Sequence, residues 1–294
     1  MGSATWYWNP IDDVRLMWSL PSMVNAYRAG AIVAVIAAVI GWFMVLRRQT
    51  FAGHTVAMAG FPGAAGAVLL GIGASYGYFG FCVGAAVVIA AAARPGAGGL
   101  SHESALTGVV QAFALACGML FVSLSGSFLN GLNALLFGSF LGITDGDVLT
   151  LALVAAAVLA ALAVIGRPLL FASVDPDVAA ARGLPVRALG AAFLVLLGAT
   201  AAEVSQITGS LLVFALLVMP AATAQRITAR PALSLVLAVL IALLATWTAL
   251  GAAFFTPYPI GFYVTTFAFT AYLIAQLLHR VAAGMRARPA RSAA

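Results

Sequence analysis

Glu203 is the residue whose type and position most directly predict chemistry, because it lies late in a long apolar stretch. Ionisable side chains within membrane-spanning segments are costly, and they commonly mark ion paths or substrate sites. Ser205, Gln206 and Thr208 lie close to Glu203 in the sequence, so oxygen atoms that could bind a cation are concentrated there. The same residues also fit a hydrogen-bonded polar patch, or a carboxylate at the membrane interface that faces water outside.

His54 is the second candidate, because it is the only histidine within the apolar stretches of the sequence. His102 lies in a polar connection, and His279 lies at the end of the last stretch. Imidazole is a common metal ligand, but a single histidine needs further ligands to hold a metal. His54 is therefore predicted either to lie on a metal path or to be a packing residue.

Two prolines, Pro62 and Pro220, fall inside apolar stretches. Proline lacks the backbone N–H of a helical hydrogen bond, so it kinks or breaks a helix. In membrane carriers, broken helices often line the transport path. Each proline can equally be a simple packing kink.

The sequence gives little support for enzymatic chemistry. It contains no lysine, whereas a P-loop needs a lysine to bind phosphate and a Schiff base forms on a lysine. The H-E-x-x-H motif of zinc peptidases and the G-x-S-x-G motif of hydrolases are also absent. We predict that the protein is not an enzyme and binds no permanent cofactor.

The composition predicts an all-α, polytopic membrane bundle. The 294 residues are 64% hydrophobic and 7% charged, and the mean hydropathy is +1.09. Apolar stretches of about 18 or more residues are typical of membrane-spanning helices. We predict eight or nine transmembrane helices, over residues 24–46, 55–72, 77–93, 105–124, 148–166, 188–206, 209–225, 232–254 and 260–279.

The arginines predict the orientation of this bundle. An N-terminus outside the cell places twelve of the fourteen arginines on the cytoplasmic side, as the positive-inside rule requires. Residues 1–23 are then an interfacial segment rather than a cleaved signal peptide, 24–280 are the transmembrane domain, and 281–294 are a cytoplasmic tail. The arginines are dispersed despite the net charge of +6, so we expect lipid and not nucleic acid as the surrounding partner.

Residues 175–187 predict a short cytoplasmic helix between two membrane spans. Asp175 can cap its N-terminus, Pro176 suits the first helical position, and Asp177 complements the helix dipole. Gly183 and Pro185 are typical of its end. Such a helix is either a solvated connection or a docking point for a motor protein.

Four stretches resemble the permease subunits of ABC-type importers of manganese, zinc and iron. They are residues 47–63, 136–142, 171–186 and 209–224, and the resemblance extends over about residues 28–280. It implies a coupling helix that seats in a separate ATPase subunit, formed by Asp175, Pro176, Asp177, Arg182, Gly183 and Pro185. It also implies that the segment containing Pro220 lies along the inner pathway.

The resemblance further implies a set of partners and a mode of action. The partners are a cytoplasmic ABC ATPase that binds ATP, an extracytoplasmic metal-binding protein, and a second permease copy or a homologue. Together they would import zinc, manganese or iron across the plasma membrane by alternating access.

The sequence departs from this family at Thr50. Family members commonly have an aspartate four residues before the histidine that matches His54. Glu203 is the only acid within the predicted spans, so it can restore the lost carboxylate from another helix. A metal chelate or haem on the same scaffold is an alternative cargo, and an ion-coupled secondary carrier that uses Glu203 is an alternative mechanism.

Overall fold

The computed structural model describes residues 10–92, 99–125, 136, 138, 142–210 and 213–286. These residues form α-helices and connections without a β-strand, which confirms the all-α prediction. The helices of this part are α1 Pro10–Ser19, α2 Pro21–Leu46, α3 Thr50–Met58, α4 Gly60–Leu69, α5 Ala74–Ala92, α6 Gly99–Leu124, α7 Asp145–Val174, α8 Pro176–Ala181, α9 Val186–Thr208, α10 Val213–Ile227, α11 Pro231–Phe255 and α12 Ile260–Arg286.

Seven of the described helices are long and apolar enough to cross a membrane: α2, α5, α6, α7, α9, α11 and α12. The other two predicted spans differ from this pattern. The span predicted at 55–72 is divided into the short helices α3 and α4, and the span predicted at 209–225 corresponds to the 15-residue helix α10. A multi-pass helical bundle is thus established, whereas the exact number of eight or nine spans is not.

The division between α3 and α4 lies at Ala59, three residues before Pro62. Pro62 occupies the third position of α4, where a backbone N–H has no partner within its own helix. The missing N–H of proline therefore costs least at this place. Pro220, by contrast, lies inside α10, which continues through it.

Helix α7 is longer than the sequence predicts. The predicted span ends at residue 166, but α7 runs for 30 residues to Val174 and contains Pro168. Arg167 is exposed on this helix, so its charge reaches the surface without ending the helix. The predicted connection at 167–187 therefore consists of the last turns of α7, the short helix α8 and the start of α9.

Helix α2 lies at the centre of the bundle and packs against α7, α9, α10 and α11. Small residues allow close contacts between helices. Gly41 of α2 lies against the backbone carbonyl of Leu217 in α10, where a side chain would overlap that carbonyl. Gly63 of α4 and Gly77 of α5 lie in the same way against each other's carbonyl groups.

The predicted ends of the chain are described only in part. Residues 10–19 of the predicted interfacial segment form α1, and Trp18 stacks on Tyr27 of α2 with ring centroids 6.3 Å apart. Residues 1–9 and most of the predicted outer connection at 125–147 lie outside the described residues, as do 287–294 of the predicted tail.

Candidate functional site

Glu203 is completely buried near the C-terminal end of α9, with 0% of its surface exposed. Neither carboxylate oxygen has a hydrogen-bond partner. This burial excludes the interpretation of Glu203 as an interfacial carboxylate that faces water. Because a buried polar group without a partner is costly, Glu203 calls for a functional explanation.

The hydroxyl groups near Glu203 in the sequence bond elsewhere. Ser205 donates a hydrogen bond to the carbonyl of Ala201 at 2.6 Å, and Thr208 donates to the carbonyl of Val204 at 3.1 Å. The structure therefore does not form the hydrogen-bonded polar patch that the sequence permits around Glu203.

Glu203 also faces away from the helices that Ser205 contacts. A Cβ atom at Gly60 of α4 would lie 3.1 Å from the hydroxyl oxygen of Ser205 and close to the ring of Tyr78 in α5, so Ser205 faces these two helices. Residues two positions apart on a helix are separated by about 200° around its axis. Glu203 therefore points away from the α4 and α5 side of α9.

Close to Glu203, the chain forms a backbone crossing at the end of α9. Gly138 lies against the carbonyl of Ile207, one turn beyond Glu203, and Gly209 lies against the carbonyl of Leu136. Both glycines have a positive φ, 76° for Gly138 and 75° for Gly209. Ser210 follows at once, and its buried hydroxyl has no hydrogen-bond partner.

His54 lies on α3, which packs against α6, α9 and α10. Its ring meets Phe214 of α10 edge to face, with centroids 4.9 Å apart and an interplanar angle of 71°. Its Nδ1 is buried and has no hydrogen-bond partner. The next residue, Thr55, donates a hydrogen bond to Gln111 of α6 at 3.1 Å.

The structure does not bring the predicted ligands together as a closed metal site. Thr50 lies one turn before His54 on α3 and is half-buried. No hydrogen bond connects His54 with Glu203, since the Nδ1 of His54 and both oxygens of Glu203 lack partners. Within the described residues, no group of three or more His, Cys, Asp and Glu side chains could hold a metal ion.

The predicted short helix is present as α8, and its ends follow from the sequence. The carboxylate of Asp175 accepts a hydrogen bond from the N–H of Val178 at 3.0 Å, and Pro176 is the first helical residue. The helix ends at Ala181, and Gly183 follows its C-cap residue, Arg182, with a φ of 79°. The N–H of Leu184 then donates to the carbonyl of Ala179 at 3.1 Å, which closes the last turn.

Helix α8 presents its polar residues to the surroundings. Ala179 is buried against the bundle, and all six residues of the predicted coupling set are exposed: Asp175, Pro176, Asp177, Arg182, Gly183 and Pro185. A short, capped helix that packs on the bundle through Ala179 and exposes both charged side chains and the apolar Val178 can serve as a docking element.

One group of contacts was not predicted from the sequence, in which Arg47 is only the residue that follows the predicted span at 24–46. The structure places Arg47 between α7 and α9, where it donates a hydrogen bond to Ser173 and lies over the ring of Phe193. No sequence pattern identifies these partners, because they are more than a hundred residues away.

The structure is a multi-pass helical bundle with unpartnered polar groups in its interior and a short, exposed helix between two long ones, an arrangement that fits a membrane transporter subunit. Residues 19–279 match the ABC 3 transport family, so the chain belongs to that family. This assignment confirms the resemblance to ABC-type metal-ion permeases.

Two relatives and one solved structure illustrate the similarity. The manganese transport system membrane protein MntC of Listeria innocua is 31% identical over 67% of this chain and 69% of the relative. The chelated iron transport system membrane protein YfeC of Yersinia pestis is 31% identical over 74% of this chain and 73% of the relative. The structure of PsaBC from Streptococcus pneumoniae in complex with Fab has a TM-score of 0.79 at 24% identity, over 90% of this chain and 94% of that chain, which shows the shared fold.

Proposed function

We propose that this chain is the membrane-spanning subunit of an ATP-driven importer for a divalent transition metal ion, namely zinc, manganese or iron. The family assignment supports the transporter class, and relatives named for manganese and chelated iron transport support the cargo. The observation that carries the proposal for the path is the fully buried carboxyl group of Glu203, whose oxygens have no partner.

In this proposal, His54 and Glu203 contact the ion one after the other as it passes. Position 50 carries a threonine and therefore supplies no carboxylate ligand. Imidazole and carboxylate groups suit zinc, manganese and ferrous iron with overlapping preference. An ion path must bind its cargo weakly enough to release it. Separate, incomplete ligand sets, rather than one closed site, meet that requirement. The helix around Pro220 borders this path, whereas the break before Pro62 lies on the side of α9 that carries Ser205.

The orientation and partners complete the proposal. The N-terminus lies outside and the C-terminus in the cytoplasm, so α8 faces the cytoplasm, where a separate ABC ATPase binds and hydrolyses ATP. The capped ends and exposed polar residues of α8 support this docking role. An extracytoplasmic metal-binding protein delivers the ion, and a second permease copy or a homologue completes the path by alternating access.

The test is the metal content of cells under limiting metal, measured by elemental analysis. A strain without the gene receives the native chain, His54→Ala, or the matched control His279→Ala, whose exposed histidine lies near the end of α12. We expect one metal to fall in the empty strain, to recover with the native chain and the control, and to stay low with His54→Ala. Unchanged metal content in every strain would contradict a metal-ion cargo.

A chelated metal is the second candidate cargo, because one relative is named for chelated iron transport and Thr50 removes a ligand for a free ion. Uptake of radioactive iron as the free ferrous ion and as a chelate distinguishes the two. Faster uptake of the chelate would favour this candidate. The family assignment does not favour an ion-coupled carrier. Uptake that persists without ATP would be the evidence for that mechanism.

A further inference from the structure

Arg47, the residue that follows α2, connects the two long helices on either side of α8. Its guanidinium donates a hydrogen bond to the hydroxyl of Ser173 in the last turn of α7 at 3.0 Å. Its Cζ lies 5.5 Å from the centroid of the Phe193 ring in α9. Its Nε donates a hydrogen bond to the side chain of Gln49 at 3.1 Å, which helps to fix the orientation of the guanidinium plane.

The partners of Arg47 are themselves held in place. The hydroxyl of Ser173 donates its proton to the carbonyl of Leu169, so it is left to accept the hydrogen bond from Arg47. Phe193 is completely buried and meets Phe43 of α2 with centroids 6.4 Å apart. Gly190 leaves room for the guanidinium, because a Cβ atom there would lie 3.2 Å from it.

These contacts lie directly beside α8. Ser173 is two residues before Asp175, which caps α8, while Gly190 and Phe193 lie in the first turns of α9, after α8. Because α8 has only six residues, any displacement of it must pass into the end of α7 or the start of α9. Arg47 contacts both of these helices and belongs to neither.

The end of α2 also forms hydrogen bonds with α10 and α11. The indole N–H of Trp42 donates a hydrogen bond to Ser234 of α11 at 3.0 Å. The side-chain amide of Gln225 in α10 donates to the carbonyl of Trp42 at 3.0 Å. Four helices, α7, α9, α10 and α11, are therefore bonded or stacked to the last two turns of α2 and the arginine that follows them.

We propose that Arg47 is a positioning residue for transport, which carries the displacement of α8 into α2 and α9, the helix that bears Glu203. The proposal rests on the proposed docking of the ATPase at α8. Arg47 is not expected to touch the metal, and it is not required for the ATPase to bind. Its role is to make α7, α8 and α9 move together with α2.

The test measures ATP hydrolysis and uptake of radioactive manganese by the complete complex in lipid vesicles. The variants are Arg47→Gln and the matched control Arg48→Gln, which removes the same charge from an exposed neighbour. We expect Arg47→Gln to retain the ATPase subunit and its hydrolysis while uptake falls by about fivefold, within the range of effects found for residues that couple two sites. The ATP consumed per ion then rises by the same factor. Arg48→Gln leaves this ratio unchanged.

Two further variants separate coupling from folding. Ser173→Ala removes the hydrogen bond from Arg47 without adding volume, and Arg47→Lys keeps the charge but loses the planar stacking on Phe193. Both are expected to raise the ratio of ATP to transported ion by less than Arg47→Gln does. An unchanged ratio in Arg47→Gln, or uptake and hydrolysis that fall together with the amount of complex, would overturn the inference. Absence of uptake of manganese, zinc and iron by the native complex would instead count against the proposed function.

Discussion

Gly138 and Gly209 lie backbone against backbone where the chain crosses the C-terminal end of α9. Each has a positive φ, and a side chain on either would overlap a carbonyl group on the other segment. The crossing lies one turn beyond Glu203, and Ser210 beside it has an unpartnered, buried hydroxyl. Non-helical backbone at the depth of the membrane is tolerated only where it is buried in protein or lines a water-filled cavity.

Gly209→Ala tests the role of this crossing in stability. The φ of 75° and ψ of 156° at Gly209 belong to a region that is essentially restricted to glycine, so alanine there costs about 1–3 kcal/mol before any overlap with Leu136. We expect the purified protein to unfold at a temperature several degrees lower, as followed by tryptophan fluorescence. Gly108→Ala in α6 is the control, because a Cβ atom at Gly108 meets nothing within 4 Å. Equal melting temperatures for both variants would contradict this account.

Glu203→Gln separates a functional carboxyl group from a structural one. A neutral amide of the same shape is easier to bury without partners than a carboxylate, so we expect equal or higher thermal stability. Uptake at limiting metal is expected to fall by about tenfold, as is typical when a group that supports a metal site is lost. Cellular metal content and a melting curve of the same preparation check both parts. If uptake stayed at the native level, Glu203 would not compensate for the carboxylate that Thr50 lacks.

The regular parts of the fold follow from sequence patterns, and the exceptions have physical causes. Long apolar stretches predict the seven long helices because each must satisfy its own backbone within the membrane. The start of α8 is predictable, since Asp175 and Pro176 act locally. The end of α7 is not, because Arg167 can face outward and leave the helix intact.

The candidate site was harder to predict than the fold. The sequence identifies His54 and Glu203 as unusual polar residues in apolar helices, but burial and missing partners are properties of the packed structure. The contacts of Arg47 are also invisible in the sequence, since Ser173 and Phe193 are brought to it only by the packing of α7 and α9.

Thr50→Asp is expected to strengthen metal binding on α3. Residues four apart lie on the same side of a helix, so an aspartate at this position can place an oxygen ligand beside the imidazole of His54. We expect the manganese concentration for half-maximal uptake to fall by about fivefold, which corresponds to about 1 kcal/mol. Thr50→Asn is the control with similar size and no charge. Identical concentration dependence for both variants would place the ion path away from this face of α3.

Arg182→Glu tests whether α8 is the docking point of the ATPase. Arg182 is exposed at the C-terminal end of α8, so reversing its charge alters the proposed docking surface without disturbing the packing of the bundle. We expect normal insertion into the membrane but loss of the ATPase subunit during co-purification. Arg167→Glu provides the control, because it makes the same charge change at an exposed position of α7. Recovery of an intact complex with Arg182→Glu would move the docking point away from α8, whereas its loss with both variants would indicate a general effect of charge near the membrane.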